Sequence, residues 1–309
     1  MTSFSQHQMS QLKPSNLDIL DALARYRFLT TSQIISLGIA SYPSSLSRTL
    51  RNFDAFRKPL VTRSRFSEVV AGRSGRLAKE DLLTLTPKGA ELLLAAQPDR
   101  NDMIRFSRSK GISARDYEHT RETVDFHILL DQFADDHDCS VDCFHTYHDH
   151  TGANSGHKAA KGIDLLRRQT TFEVTDQGER WRFSADAVFH LTDPAGKGHL
   201  FAVEIQRGMD TKRLCDKLRT HYIPALAEGV ISEAYGVNHN ATILIVCENQ
   251  SLLENTIKRL ADDPEFTHFH KCFAFHTITG LRGEPQGNPT SRAFVLDWQF
   301  LGGKVGTVF

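Results

Sequence analysis

The chain has 309 residues, of which 40% are hydrophobic and 24% charged. This is the composition of a folded globular protein long enough for two domains, not of a disordered or fibrous one. No apolar run is long enough to span a bilayer, the start (MTSFSQHQMSQ) lacks the pattern of a signal peptide, and five cysteines fit a reducing compartment better than a disulfide framework. A cytoplasmic protein with no membrane partner is expected. The formal net charge of zero hides a split: residues 1–110 hold 17 Lys+Arg against 9 Asp+Glu, and residues 111–309 hold 20 against 28. A basic module for a polyanion joined to an acidic body is one reading; two parts that attract each other is the other.

In chain order, Leu17, Leu20, Leu23 and Ala24 recur at helical spacing within residues 16–29. Thr30 and Thr31 suit the cap of a short second helix, TSQIISLG, closed by Gly38. A third helix, SSLSRTLRNFDAF, starts at Ser44 or Ser45 after Pro43. PLVTRSRF and DLLTLT read as strands around a basic, glycine-bearing hairpin tip, and Thr86-Pro87 opens a closing helix, PKGAELLLAA. Together these make an N-terminal winged helix-turn-helix, expected over residues 1–100.

Between residues 44 and 79, nine Lys+Arg stand against Asp54 and Glu68. They fall on the third helix and the wing, the parts that meet the major groove and the flanking phosphates in such a fold. Arg48, Arg51 and Asn52 are candidates for the groove, and Arg63, Arg65, Arg73 and Arg76 for phosphates. Double-stranded DNA is the expected partner, and a homodimer on a palindromic site is compatible with it. A solvated basic face is the plainer alternative.

Residues 98–112 are polar and read as a linker. A long helix follows (113–137), then strands around 141–148, in TTFEV, WRFSADAVFHL, HLFAVEIQR, ATILIVCEN and CFAFHTI, with helices at 211–228 and 251–262. Strands first cluster and then alternate with helices, so residues 113–309 are expected to be α+β or α/β. Glu204 stands inside the apolar run Phe201-Ala202-Val203-Glu204-Ile205, where a carboxylate is costly unless paired or metal-bound. WRFSADAVFHL places Asp186 in a strand joined to the Glu204 strand by a glycine turn, so the two should be antiparallel neighbours. Alternation puts Glu204 and Gln206 on one face. Asp186, Glu204 and the Ile205 carbonyl would then form a hard oxygen site for Mg²⁺ or Mn²⁺; a structural carboxylate pair satisfied by a nearby Arg or Lys is the alternative.

This pattern resembles the PD-(D/E)XK nuclease core, with Ala185-Asp186 as its first part and Glu204-Ile205-Gln206 as its second. Gln206 occupies the position usually held by lysine, and Lys217 on the following helix is the candidate to replace it. The order of motifs, a winged helix, a helix bearing His119, then "ADAVF…FAVEIQRG…KLRTHY", resembles the replication-relaxation family and the related MobC-type relaxases of mobilisable plasmids. The resemblance covers about residues 15–300. It implies a restriction-endonuclease-like mixed sheet flanked by helices, catalytic residues Asp186, Glu204, Gln206 and Lys217, and metal ligands Asp186, Glu204 and Ile205. It also implies DNA nicking or processing at a plasmid or transfer origin, with accessory mobilisation or replication proteins as further partners. If a covalent link to DNA forms, Tyr222 is the tyrosine nearest the site in sequence. A non-catalytic replication initiator or regulator with a degenerate nuclease core is the alternative.

Other groups invite weaker readings. Glu118 and Glu122 share a helix face and could lend a carboxylate to the metal, although an exposed face explains such a pair as well. His145, His148 and His150 (HTYHDH) are expected to sit in a polar loop rather than a metal cluster. Cys139 and Cys143 lack a downstream pair for zinc.

Overall fold

Pro14 takes the first turn of helix α1 (Pro14–Tyr26), where its missing amide proton costs nothing. The helix buries Ile19, Leu20, Leu23 and Ala24, the stripe expected from the spacing except that Leu17 stays outside the core. In a computed structural model, the described residues are 13–69, 76–100, 103–106, 112–151, 167–176, 178–281 and 298–308. The chain divides into two units, Met1–Ile128 and Leu129–Phe309.

In the first unit, Thr30 caps α2 (Thr31–Ser36): its hydroxyl accepts from the Gln33 amide, and the Gln33 side chain accepts in return from the Thr30 amide at 2.8 Å. Helix α3 (Pro43–Asp54) begins at Pro43 itself rather than at Ser44 or Ser45, with proline in the first turn. Strands β1 (Phe28–Leu29), β2 (Val61–Ser64) and β5 (Leu82–Leu85) form an antiparallel sheet in the order β1-β5-β2. A separate ribbon of β3 (Ser67–Val69) and β4 (Arg76–Ala78) lies between β2 and β5 in the chain. Thr86 caps α4 (Pro87–Ala96) through the Gly89 amide. Gly89 has to be glycine: a Cβ there would stand 2.3 Å from the Leu60 carbonyl oxygen. The boundary between the units falls inside α5 (Tyr117–Asp136).

The second unit is built on a seven-stranded mixed sheet. Its order is β16-β15-β14-β13-β12-β11-β6, from β6 (Ser140–Thr146), β11 (Ala187–Thr192), β12 (Gly198–Gln206), β13 (Thr242–Cys247), β14 (Phe273–Thr277), β15 (Trp298–Phe300) and β16 (Val305–Gly306). The β12, β13 and β14 strands are parallel, and the other pairs are antiparallel. The parallel connections are helical. From β12 the chain runs through α6 (Thr211–Lys217), a π-helical turn (Leu218–Tyr222), α7 (Ile223–Glu228) and α8 (Val230–Ala234); from β13 it runs through α9 (Gln250–Ala261) and a 3₁₀ stretch (Pro264–Cys272). Val188, Leu200, Ala202, Ile243, Ile245 and Phe275 face these helices and pack with Leu214, Leu218, Tyr222, Leu226 and Leu252 in one core. The whole is a mixed α+β fold with a large mixed sheet flanked by helices. No helix among the described residues is long and apolar enough to cross a membrane.

WRFSADAVFHL is not the single strand expected from its alternation. β10 (Glu179–Ser184) pairs with β9 (Thr171–Asp176) in a separate antiparallel ribbon, as β7 (His150–Thr151) does with β8 (Arg167–Arg168), and only β11 enters the large sheet. The chain changes partners between Ala185 and Asp186: Ala185 is still bonded on the β9 side, whereas the Asp186 amide donates to the Val203 carbonyl of β12. The Ala185 amide donates to the Thr170 carbonyl at 3.1 Å, and the Thr170 hydroxyl donates to the Ala185 carbonyl at 2.7 Å. A two-residue break does not disturb a period-two pattern, so the sequence alone cannot reveal it.

Candidate functional site

β12 places Glu204 on the face that carries Leu200 and Ala202, against the helices. Glu204 is 4% exposed and has two donors. The Lys217 ammonium lies 2.5 Å from Oε2, and the Tyr222 hydroxyl donates to Oε1. Lys217 and Tyr222 are five residues apart, about 140° around an ideal α-helix. They reach one carboxylate because the turn between them is π-helical, closed by the Ile223 amide on the Leu218 carbonyl. Pro224 supplies the local reason. It has no amide proton for the Thr220 carbonyl, and its ring crowds that position. The Thr220 hydroxyl donates to the Asp216 carbonyl at 2.8 Å, and His221 Nδ1 lies 3.2 Å from the Lys217 carbonyl, so side chains help to satisfy the widened turn.

Asp186 enters from the break before β11. The register Ala187↔Val203 continues to set Asp186 opposite Glu204, and the Asp186 amide donates to the Val203 carbonyl at 3.0 Å. Its carboxylate accepts the Ile205 amide at 2.7 Å. In an extended strand a residue's amide and carbonyl point to the same side, so the Ile205 carbonyl is directed toward the Asp186 edge. Gln206 is half-buried, and its side-chain amide donates to the Arg207 carbonyl at 3.0 Å. Lys217, 32% exposed, thus supplies the cation beside Glu204, and Gln206 does not.

Electrostatics follow from burial. Desolvation pushes the Glu204 carboxyl up to about 7; the Lys217 ammonium opposes this rise and the neighbouring Asp186 charge adds to it. For Lys217, burial favours the neutral amine, but the charges of Glu204 and Asp186 outweigh it and hold the ammonium. Burial, and then the Glu204 charge, raises the Tyr222 phenol well above its ordinary value. Tyr222 is fully buried as well as hydrogen-bonded, so its oxygen is not presented to a substrate.

The donor set suits a hard divalent cation. Two carboxylates and a carbonyl are all oxygen, and Mg²⁺ commonly binds through one or two carboxylates and keeps several waters. Each Glu204 oxygen has a second lone pair beyond the one engaged by Lys217 or Tyr222. Among the described residues, no group of three or more His, Cys, Asp or Glu stands where it could hold a metal ion, so a cation here would rest on Asp186, Glu204 and Ile205. Glu118 is engaged within the first unit, by Lys79 at 2.7 Å and Arg121 at 3.2 Å. His145 lies on β6, with Nδ1 3.1 Å from the Tyr235 hydroxyl.

Sequence reading missed Glu248, which braces the loop after β12. Its carboxylate accepts the Gly208 amide at 2.7 Å, and its own amide donates to the Gln206 carbonyl at 2.9 Å. A carboxylate just after an apolar strand was the available signal.

On α3, Leu46, Leu50 and Phe53 are buried, and Arg48, Arg51 and Asn52 are exposed on the opposite side. Arg65 is exposed, whereas Arg63 is half-buried and paired with Asp54 at 2.7 Å. Arg76 lies on β4, and Arg73 falls outside the described residues.

No curated protein and no solved structure matches the chain. A family model described as replication-relaxation matches residues 20–240, a span that contains Asp186, Glu204, Lys217 and Tyr222. That span is more than half of the chain: the protein belongs to the replication-relaxation family, which points to a replication-related function on a plasmid or mobile element.

Proposed function

We propose that the protein is a metal-dependent DNA-nicking protein of a plasmid or mobile element. In this reading the first unit is a winged helix that binds duplex DNA, and the second is a restriction-endonuclease-like core of PD-(D/E)XK type. The observation that carries it is the contact of Lys217 with Glu204 at 2.5 Å, beside Asp186 opposite Glu204 in register. Two carboxylates and a lysine at one strand end are the groups that phosphodiester hydrolysis needs.

Asp186, Glu204 and the Ile205 carbonyl would hold Mg²⁺ or Mn²⁺. Such an ion, when bound, polarises a phosphate and lowers the pKa of a bound water. Lys217 orients the attacking water or the scissile phosphate and offsets its charge. Tyr222 holds the Glu204 carboxylate in place, and with its oxygen buried the product is a hydrolytic nick rather than a Tyr222–DNA ester. Arg48, Arg51 and Asn52 on the exposed face of α3 read the groove, and Arg63, Arg65, Arg73 and Arg76 contact phosphates. Accessory mobilisation or replication proteins and a second copy of the chain are compatible partners.

A second reading, a non-catalytic initiator or regulator, draws support from Gln206, whose amide is turned to the Arg207 carbonyl. The test is incubation with supercoiled plasmid from the protein's own genetic element in Mg²⁺, Mn²⁺ or EDTA, alongside Glu204→Gln. Metal-dependent relaxation by the wild type alone supports the nicking reading. An intact plasmid that is nonetheless bound supports the second. Relaxation by Glu204→Gln removes Glu204 from the mechanism.

A further inference from the structure

Trp181 lies on β10, on the ribbon face that also carries Phe172, Val174 and Phe183, yet it is 44% exposed. The ribbon is anchored below it. Phe172 and Phe183 meet at 5.6 Å between ring centres, and Phe183 packs edge-on against Tyr222 at 4.9 Å. Trp181 itself touches only the edge of His221, at 6.4 Å between ring centres in a T-shaped contact, among the ring contacts of the described residues. A large flat apolar ring is thereby held at the surface by a rigid base one contact away from the Tyr222–Glu204 pair.

Cations stand nearby. Arg213 and Lys217 lie four residues apart on α6, and burial holds the following half-buried His221 toward its neutral form. Arg213 is exposed and close enough to Lys217 for their charges to repel. Cations near an exposed aromatic ring are the combination that holds unpaired nucleic acid: the cations contact the phosphates, and the ring stacks on a base. Duplex DNA does not offer that base face, because each base is already stacked within the helix.

We infer that the β9–β10 ribbon and α6 form a binding site for unpaired DNA beside the candidate nicking site, with Trp181 stacking on a base and Arg213 contacting phosphates. The inference rests on the reading that this site acts on DNA, and it adds the state of the substrate: a locally melted strand, delivered to Glu204 and Asp186 by the ribbon. A protein partner seated on Trp181 is the competing occupant.

The experiment uses the full chain in EDTA, so that neither metal nor cleavage enters. Trp298, the other tryptophan of the chain, is fully buried, which makes Trp181 the surface reporter. Oligo(dT) is expected to quench tryptophan emission, whereas a blunt duplex of equal length leaves it unchanged. Trp181→Ala should weaken oligo(dT) binding, read by anisotropy, roughly five- to hundredfold. Trp181→Phe, which keeps an aromatic face, should restore most of that affinity, and neither variant should alter duplex binding. If Trp181→Ala fails to fold, Arg213→Ala carries the test through weaker binding and a shallower salt dependence with quenching retained. No quenching, equal quenching by duplex, or unchanged oligo(dT) affinity in the Trp181 variants would overturn the inference. A protein that nicks without quenching loses this site and keeps the nicking reading; one that is quenched but never nicks does the reverse.

Discussion

The Tyr222 hydroxyl donates to the buried Glu204 carboxylate, whose other oxygen is held by Lys217. One charged group in the core is thereby matched by a phenol and an ammonium from a single helical segment. Tyr222→Phe leaves that oxygen without its buried donor and should destabilise the protein by about 1–3 kcal/mol. Nicking should fall without vanishing, because Lys217 and Asp186 stay in place. Urea unfolding and plasmid relaxation measure the two effects. Complete loss of nicking with stability unchanged would instead point to chemistry at the phenol itself.

The π turn makes a separate prediction. Pro224→Ala restores an amide at the position that widens the turn. The segment should relax toward a regular helix, carrying Lys217 and Tyr222 apart around the axis. Nicking should drop by an order of magnitude or more, while the melting temperature changes little, since the relief of replacing the poorest helix former offsets the lost Tyr222–Glu204 bond. Thermal unfolding followed by circular dichroism, together with relaxation assays, separates this outcome from simple misfolding.

Glu204 also predicts a pH dependence. Its carboxyl is raised from 4.5 to about 7 by burial, so the folded state holds a proton that the unfolded state has released. The stability it contributes is complete below the ordinary carboxylate value and is lost as pH rises through about 7. Lys217, with its own value raised, stays charged throughout this window. The stability of the wild type relative to Glu204→Gln should therefore fall between about pH 5 and 8, by up to roughly 3 kcal/mol. Mn²⁺ affinity should move the other way, tightening as the proton leaves. Urea titrations and calorimetric Mn²⁺ binding across that range check both signs, and a stability difference flat in pH would contradict them.

For DNA binding, α3 offers a test by subtraction and by release. Arg51→Ala and Arg48→Ala should weaken duplex binding and relax its sequence preference, whereas Arg65→Ala, at a phosphate candidate, should lower the salt slope by about 0.9. Asp54→Asn frees Arg63 from its 2.7 Å ion pair and should tighten binding. Anisotropy titrations at several salt concentrations measure these changes. Variants that all bind like the wild type would assign the basic face to solvent.

Local chemistry was legible in the sequence where it depends on near neighbours. The Thr30 and Thr86 caps, most of the buried stripe of α1 and the alternation along β12 follow from spacing and residue type. Lys217 could be named as a candidate because it lies on the helix after β12, but sequence holds no measure of how that helix is rotated. Only packing, and the turn widened before Pro224, brings Lys217 and Tyr222 to one carboxylate from positions that a regular helix would hold apart. The same applies to Asp186. Its opposition to Glu204 was readable from two strands and a glycine turn, whereas the change of partner at Ala185, bonded to Thr170, and the bond from the Ile205 amide to the Asp186 carboxylate join residues distant in sequence. The sequence by itself determined which residues cap, alternate and carry charge, since those properties are local; the tertiary structure decided which of them share a site, because that depends on strand order, helix rotation and bonds between residues far apart in the chain.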